Sequence, residues 1–264
     1  MNKVQSFFLV LSVISMTASA TTWKLVFEDN FEGTTINTTN WNVYNMTTHG
    51  PTELELYMAD DVYMQDGKLI LRTRCRSIPY RNTLYNFTSG MVDSINKVYF
   101  TYGRFEVRAQ LPNNVMAAGI WPAHWMMPQP STSVPPNVCW PVGGEIDIME
   151  RVGGAYNNSV LADYHYGTLC NKDEWTSKNR GYYPVGVEGE YHVYSVEWSN
   201  NSLTWYVDGI QYYSNTVGKE VPFIPSDPFY IILNTAIEPN YGKNISNLPV
   251  YHAIDYVRIY QAVA

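Results

Sequence analysis

The sequence predicts an all-β domain built as an antiparallel sandwich. Short segments with alternating apolar and polar residues recur along the chain, separated by Gly and Pro, as is typical of this class. Asp66-Gly67 and Asp208-Gly209 have the composition of tight hairpin turns. We find no convincing helix of ten residues, no internal repeat and no linker-like stretch. A single domain is therefore expected over residues 21–264.

Residues 1–20 have the pattern of a signal peptide. Lys3 provides the positive start, Phe7–Met16 is a short apolar run, and Ala18-Ser19-Ala20 is an A-x-A cleavage site. The apolar run is too short to span a bilayer. We therefore expect a secreted, extracellular protein whose mature chain begins near Thr21.

The net charge excludes some partners. The formal charge is −7, and it becomes −8 when Lys3 is removed with the signal peptide. Nucleic acids and anionic membranes are bound by basic patches, so we expect neither as a partner. Aromatic residues make up 15% of the chain, with 22 Tyr and 8 Trp. They fit an aromatic-rich β core or platforms on which sugar rings stack, and composition leaves both open. We expect a monomer.

Six Asn-X-Ser/Thr sequons offer sites for N-glycans. Together with the signal peptide they favour a secreted eukaryotic glycoprotein. The six asparagines are Asn37, Asn45, Asn86, Asn157, Asn200 and Asn244.

Strands are predicted along the whole mature chain, and two of them have clear faces. Leu69 and Leu71 share one face of an early strand. Farther on, one face carries the apolar set Phe105, Val107 and Ala109, and the other carries the polar set Arg104, Glu106 and Arg108. The predicted strands are Trp23–Phe31, Lys68–Arg74, Tyr102–Leu111, Gly119–Met127, Leu161–Gly167, Tyr191–Trp198, Ser202–Val207, Phe229–Ala236 and Tyr251–Gln261.

The stretch W-P-V-G-G-E-I-D-I-M-E holds three carboxylates within six residues: Glu145, Asp147 and Glu150. In a strand, the first two share one face, while the intervening isoleucines face the other way. Glu150 has the wrong parity, and one extra residue in a β-bulge at Ile148 or Met149 returns it to the acidic face. The pattern therefore predicts a bulged strand with three acids on one side.

Three carboxylates on one face repel each other, so stability does not explain them. Hydrolysis of a glycosidic bond does need two carboxyl groups, roughly 5–5.5 Å apart in a retaining enzyme. The side chains converge in this way only if the strand curves. The alternative is three solvated acids on an edge strand, which the preceding Gly-Gly and the apolar alternation disfavour.

E-I-D-I-M-E resembles the active-site motif of glycoside hydrolase family 16, in the bulged form typical of laminarinase-type endo-β-1,3-glucanases. Other segments resemble the family in the same order and extend the similarity over nearly the whole mature chain. They are F-E-D-N-F-E-G, D-G-K-L-I-L, Y-G-R-F-E-V-R, G-I-W-P-A-H-W-M and D-Y-V-R-I-Y. The resemblance implies a β-jelly roll of two curved antiparallel sheets with a concave glycan-binding cleft.

The resemblance also implies roles for the acids. Glu145 corresponds to the nucleophile and Glu150 to the acid/base of a retaining double displacement, with Asp147 between them. Because three carboxyls this close cannot all ionise freely, we expect a charged Glu145, a protonated Glu150, and a proton shared between Asp147 and Glu145. The implied substrate is a β-1,3-glucan such as laminarin. A mixed-linkage β-1,3/1,4-glucanase, a glucan transglycosylase and a non-catalytic β-glucan recognition protein are the alternatives.

Five further residues are candidates for substrate binding. Trp140 precedes the acidic strand, and Trp121 and Trp125 share one face of an aromatic strand, which is either cleft or core. His165 is a candidate to hydrogen-bond Asp147 or a sugar hydroxyl; a lone His is more often structural, but the family has a His at this place in H-Y-G. Arg104 belongs to a polar face that lines either the cleft or the opposite, solvated side.

The reaction needs no cofactor, and the five histidines lack metal-ligand spacing. Some family members bind one structural calcium on the convex side. The resemblance places its ligands here at the Gly67 carbonyl and at Asp255, and calcium prefers oxygen ligands of this kind.

The three cysteines, Cys75, Cys139 and Cys170, leave one thiol unpaired in an oxidising compartment. If the acidic strand and the strand Leu161–Gly167 form a hairpin with Glu150 opposite Leu161, Cys139 lies opposite a position near 172. A Cys139–Cys170 disulfide is then within reach, and Cys75 is the free thiol.

Overall fold

The structure is a computed structural model that describes residues 21–50, 52–112, 118–132, 138–156, 159–175, 180–184, 189–240 and 247–263. The predicted signal peptide, and Asn157 and Asn244 of the predicted sequons, lie outside these residues. Among the described residues no helix is long and apolar enough to cross a membrane.

The regular secondary structure of the described part of the chain is almost entirely β, with one 3₁₀ turn at Ala59–Asp61. The strands, in chain order, are β1 (Thr22–Asp29), β2 (Asn42–Val43), β3 (Glu55–Tyr57), β4 (Val62–Gln65), β5 (Lys68–Tyr80), β6 (Thr83–Ser89), β7 (Met91–Asp93), β8 (Tyr99–Phe100), β9 (Gly103–Gln110), β10 (Ile120–Pro128), β11 (Glu145–Glu150), β12 (Val160–His165), β13 (Gly181–Tyr183), β14 (His192–Trp198), β15 (Ser202–Val207), β16 (Ile210–Thr216), β17 (Phe229–Ile237) and β18 (Val250–Val263).

The strands form two sheets packed face to face as a β-jelly roll, which confirms the predicted fold class. The ten-stranded sheet has the order β16-β15-β14-β9-β18-β5-β6-β3, with β1 beside β18 and β4 beside β5. The eight-stranded sheet has the order β13-β12-β11-β10-β17-β7-β2, with β8 beside β17. All pairings are antiparallel except that of β3 with β6.

Both predicted hairpin turns are present. Asp66 and Gly67 join β4 to β5, and Asp208 and Gly209 join β15 to β16; all four residues have positive φ angles between 50° and 77°. This is the type I′ geometry, which matches the twist of the flanking strands and favours Asp-Gly.

The core lies between the sheets, as the alternation predicted. Phe105, Val107 and Ala109 of β9 and the leucines of β5 are fully buried from one side, and Ile146 and Ile148 of β11 from the other. The buried indole Nε1 of Trp205 crosses the interior and donates to the main-chain oxygen of Asp147 at 2.8 Å. A side chain of the ten-stranded sheet thus holds the main chain of the acidic strand through a hydrogen bond.

The hairpin register confirms the predicted bulge. Glu145 pairs with His165 and Asp147 with Asp163, and the register then shifts so that Glu150 pairs with Leu161. On the other side, β10 pairs with Met149 and then with Asp147, which leaves Ile148 as the extra residue. The bulge returns Glu150 to the face of the other two acids.

The predicted disulfide is present. Cys139 and Cys170 are bonded with a Cα–Cα distance of 5.5 Å. The neighbouring main chain is joined as well, because the Asn171 amide donates to the Trp140 carbonyl at 2.8 Å. Cys75 is a free, exposed thiol on β5. The bridge therefore fixes the segments that enter β11 and leave β12.

Candidate active site

A pocket of about 140 Å³ opens on the face of the eight-stranded sheet that carries Glu145, Asp147 and Glu150. All three acids line it because of the strand alternation and the bulge. Other side chains complete the wall: His49, Glu53, Trp121, Ala123, Trp125, Asn234 and Ala236.

Two indoles hold the outer acids. Trp140 Nε1 donates to Oε2 of Glu145 at 2.7 Å, and Trp121 Nε1 donates to Oε1 of Glu150 at 2.8 Å. Trp125 lines the same pocket, where its Nε1 donates to Asn234 Oδ1 at 2.9 Å. Trp121 and Trp125, which the sequence placed either in the cleft or in the core, therefore both lie on the cleft side of β10.

His165 lies beside the central acid, as predicted. Its Nε2 is 3.4 Å from Oδ2 of Asp147, and its Nδ1 is 2.6 Å from Oδ2 of Asp173. Burial opposes a charge on the ring, but the two neighbouring carboxylates, Asp147 and Asp173, raise the pKa of His165 to about 12. An imidazolium therefore stands next to the acids at neutral pH.

Burial raises the pKa of all three acids: to about 8 for Glu145 and to about 7 for Asp147 and Glu150. The Asp147 charge raises the pKa of Glu145 further, while His165 and the Trp140 donor lower it. The sequence predicted a charged Glu145 beside a protonated Glu150, which requires a lower pKa for Glu145. The pKa of Glu145 is instead the higher of the two. The cluster holds protons near neutral pH, and the Glu145–Asp147 contact is consistent with a shared one.

Arg104 does not lie in the pocket, so its assignment to the cleft is wrong. Strand β9 belongs to the ten-stranded sheet, and its apolar face fills the core. The polar face therefore points away from the acids. There the Arg104 guanidinium pairs with Glu106 at 2.5 Å and lies 3.9 Å from Glu197.

The residues at the predicted calcium position do not fit a cation. Gly67 and Asp255 line a common surface pocket, but Lys68 Nζ is 2.7 Å from Oδ1 of Asp255, and Arg108 contacts Oδ2. Both carboxylate oxygens thus face side-chain cations, which lower the pKa of Asp255. Since a calcium site needs these oxygens free, we assign none here.

Carboxylate oxygens of Asp147, Glu150 and Asp163 lie within 4.8 Å of one another, and the same holds for the ligand atoms of Glu145, Asp147 and His165. Indole and guanidinium groups already donate to Glu145, Glu150 and Asp163, and we assign no metal here either.

Sequence reasoning missed several residues around the acids. Asp163 is two residues before His165 on β12 and therefore lies on the same face of the strand. The predicted hairpin register is enough to place it opposite Asp147. His49, Glu53 and Asn234 come from distant segments, and no local pattern marks them as part of the pocket.

The arrangement provides two carboxyl groups in one pocket, each oriented by an indole, with a third carboxyl between them and an imidazolium that compensates charge. These groups suffice for a double displacement at a sugar carbon, in which one carboxylate attacks and the other carboxyl group donates and then accepts a proton.

The family model of the glycosyl hydrolases family 16 matches residues 30–250. A curated relative, the glucan endo-1,3-beta-glucosidase A1 of Niallia circulans, is 34% identical over 90% of this chain and 38% of its own length. The keratan-sulfate endo-1,4-beta-galactosidase of Sphingobacterium multivorum is 33% identical over 93% of this chain and 57% of its length. The chain thus spans less than two thirds of either relative.

Among solved structures, the laminarinase catalytic domain of Thermotoga maritima MSB8 matches with a TM-score of 0.79 and 27% identity. The match covers 92% of this chain and 99% of that domain. The similarity therefore extends over the whole two-sheet architecture.

Proposed function

The chain belongs to glycosyl hydrolase family 16, and we propose that it is an endo-acting hydrolase of β-1,3-glucan with a retaining mechanism. The observation that carries the proposal is the pair Glu145 and Glu150, each held by an indole Nε1–H in one pocket. The relative from Niallia circulans and the Thermotoga laminarinase support this choice of substrate.

In the first step, Glu150 donates its proton to the glycosidic oxygen while the Glu145 carboxylate attacks the anomeric carbon. The C–O bond to the leaving sugar breaks and an ester bond forms between Glu145 and the glycosyl unit. Glu145 must be ionised to attack, and the Trp140 hydrogen bond and the His165 charge favour that form.

In the second step, the Glu150 carboxylate takes a proton from water, and the resulting oxygen nucleophile attacks the same anomeric carbon. The ester bond breaks, Glu145 leaves as a carboxylate, and the product keeps the β configuration. Asp147 lies between the two glutamates, where it shares a proton with Glu145 and orients it. The reaction that we propose uses carboxyl groups and no metal or other cofactor.

Purified protein incubated with laminarin, lichenan, carboxymethyl-cellulose and keratan sulfate tests the proposal through the release of reducing ends. We expect rapid cleavage of laminarin with a mixture of oligosaccharides, as an endo-acting enzyme gives. Equal or faster cleavage of lichenan favours the mixed-linkage alternative. Selective cleavage of keratan sulfate favours the activity of the Sphingobacterium relative, and transfer products without new reducing ends favour a transglycosylase.

We also propose that the protein is secreted after loss of residues 1–20 and acts as a monomeric glycoprotein. The signal-like start and the sequons support this. Expression in a eukaryotic secretory host, followed by mass spectrometry of the released protein, tests it: an intact N-terminus in the cell fraction contradicts secretion.

A further inference from the structure

A buried ion pair between Asp163 and Arg180 lies beside the acid/base position. Asp163 on β12 is opposite Asp147 and is fully buried. Its carboxylate accepts from Arg180 twice, from Nε to Oδ1 at 3.0 Å and from Nη2 to Oδ2 at 2.8 Å. A third donor, Trp175 Nε1, reaches Oδ1 at 2.9 Å. Three donor atoms therefore surround this buried carboxylate.

The Arg180 side chain is largely buried and packs against two aromatic rings. Its guanidinium carbon lies 4.8 Å from the ring centroids of both Tyr156 and Trp175. Only 10% of the side chain is exposed. A guanidinium that is stacked on two rings and paired in a bidentate fashion has little freedom to turn elsewhere.

One member of this pair, Asp163, lies close to the catalytic acids. The carboxylate oxygens of Asp163, Asp147 and Glu150 lie within 4.8 Å of one another. We propose that Asp163, held by Arg180, is a positioning residue that keeps Glu150 protonated until the substrate binds. The inference rests on the proposed function and adds a residue that determines its pH range.

The electrostatics agree with this geometry. After burial, the Asp163 charge is the strongest influence that raises the pKa of Glu150, and Arg180 lowers it. A general acid must hold its proton until the leaving oxygen arrives, and a neighbouring anion favours that protonated form. Arg180 limits the effect, so that Glu150 can lose the proton when it becomes the base of the second step. Among the described residues, the charged or titratable groups around Glu150 are Glu145, Asp147, Asp163, His165 and Arg180, together with His49 and Glu53 across the same pocket.

The two members of the pair have opposite signs, so their neutral variants make opposite predictions. Asp163→Asn removes an anion beside Glu150 and leaves the Arg180 cation. The alkaline limb of the kcat/KM profile should move to lower pH, by roughly one unit or more. Arg180→Gln leaves the Asp163 anion unpaired and should move that limb to higher pH. The double variant should return toward the wild-type limb.

The measurement is kcat/KM on laminari-oligosaccharides across pH, with folding checked by circular dichroism. A shift of both single variants in the same direction, or of neither, overturns the inference. If Arg180→Gln does not fold, Asp163→Asn and the double variant still decide, because coincident limbs in those two proteins contradict it. Arg258→Gln, which breaks the 2.7 Å pair with Glu28 on the ten-stranded sheet, is the control and should leave the limb in place.

A second readout separates this inference from the proposed function. Carbon-13 NMR of labelled glutamate carboxyls, assigned with Glu150→Gln, follows the Glu150 titration without turnover. A wild-type protein that is folded but cleaves no β-1,3-glucan contradicts the proposed function alone. A Glu150 titration that is the same in wild type, Asp163→Asn and Arg180→Gln contradicts the inference, whatever the activity.

Discussion

The indole of Trp140 donates a hydrogen bond of 2.7 Å to the carboxylate of Glu145, five residues farther along the chain. Cys139 of the Cys139–Cys170 bridge is the residue that precedes this tryptophan. The segment that leads into β11 therefore orients the proposed nucleophile. Trp140 is 39% exposed, so its ring is also accessible to a sugar.

Trp140→Phe should separate these two roles, because it keeps a ring and removes the donor. A hydrogen bond to a charged group is worth about 1.5–3 kcal/mol, so kcat on laminarin should fall by roughly 10–100-fold. The donor lowers the pKa of Glu145, and its loss should move the acidic limb of the kcat/KM profile to higher pH. Trp23→Phe on β1 is the control. An unchanged kcat and limb would show that the hydrogen bond plays no part in catalysis.

Glu150→Ala should lose most activity on β-glucan and less on an aryl glycoside with a good leaving group. The aryl group departs with little protonation, so the general acid matters less in the first step. Added azide should restore turnover and give a β-glycosyl azide. Equal losses on both substrates, with no azide product, would indicate another acid. Glu28→Ala on the far sheet should behave as wild type.

A buried histidine pair should make the fold sensitive to acid. Nε2 of His124 lies 2.9 Å from Nε2 of His252, and both side chains are fully buried. Burial lowers both pKa values, that of His252 to about 3. Their stabilisation is therefore fully present above about pH 6.5 and is lost as the pH falls toward the folded values. Each adds a slope of about 1.4 kcal/mol per pH unit.

His252→Gln should reduce the pH dependence of the free energy of unfolding by about 1.4 kcal/mol per pH unit between about pH 4 and 6, as measured by urea unfolding at each pH. His192→Gln, at the β14–β15 hairpin, is the matched control. The same slope in His252→Gln and wild type would contradict the assignment of acid sensitivity to this pair.

The disulfide should contribute mainly by constraining the unfolded chain. Its partners are 31 residues apart, which corresponds to roughly 3–4 kcal/mol in the chain-entropy model. The double variant Cys139→Ala/Cys170→Ala should lose about that much free energy of unfolding, and Cys75→Ser almost none. Native protein should bind one equivalent of a thiol reagent, at Cys75. A native peptide map with Cys75 in a disulfide would refute this pairing.

The sequence predicts local geometry well and long-range placement poorly. The parity of the acids and a bulge at Ile148 or Met149 follow from one strand, and the structure places the bulge at Ile148 and pairs Glu150 with Leu161. Turn composition likewise predicts the Asp66-Gly67 and Asp208-Gly209 turns. Each of these features depends on residues close together in the chain.

Arg104 illustrates the limit. Alternation along β9 separates a polar from an apolar face, but it does not say which sheet the strand joins, and that choice decides whether the polar face meets the cleft. The partners of Asp255 and the contact between His124 and His252 also depend on strand order. The chain segment that carries Arg180 has no regular pattern that points to Asp163.

Covalent trapping tests the assignment of Glu145 most directly. Reaction with an activated 2-deoxy-2-fluoro-β-laminaribioside should leave the glycosyl unit on the enzyme, because the fluorine slows both steps while the activated leaving group keeps the first step fast. Mass spectrometry of the digested protein should place one glycosyl unit on Glu145, while Glu145→Gln should be folded, unlabelled and inactive on laminarin. A label on another residue, or activity of Glu145→Gln within tenfold of wild type, would contradict the account.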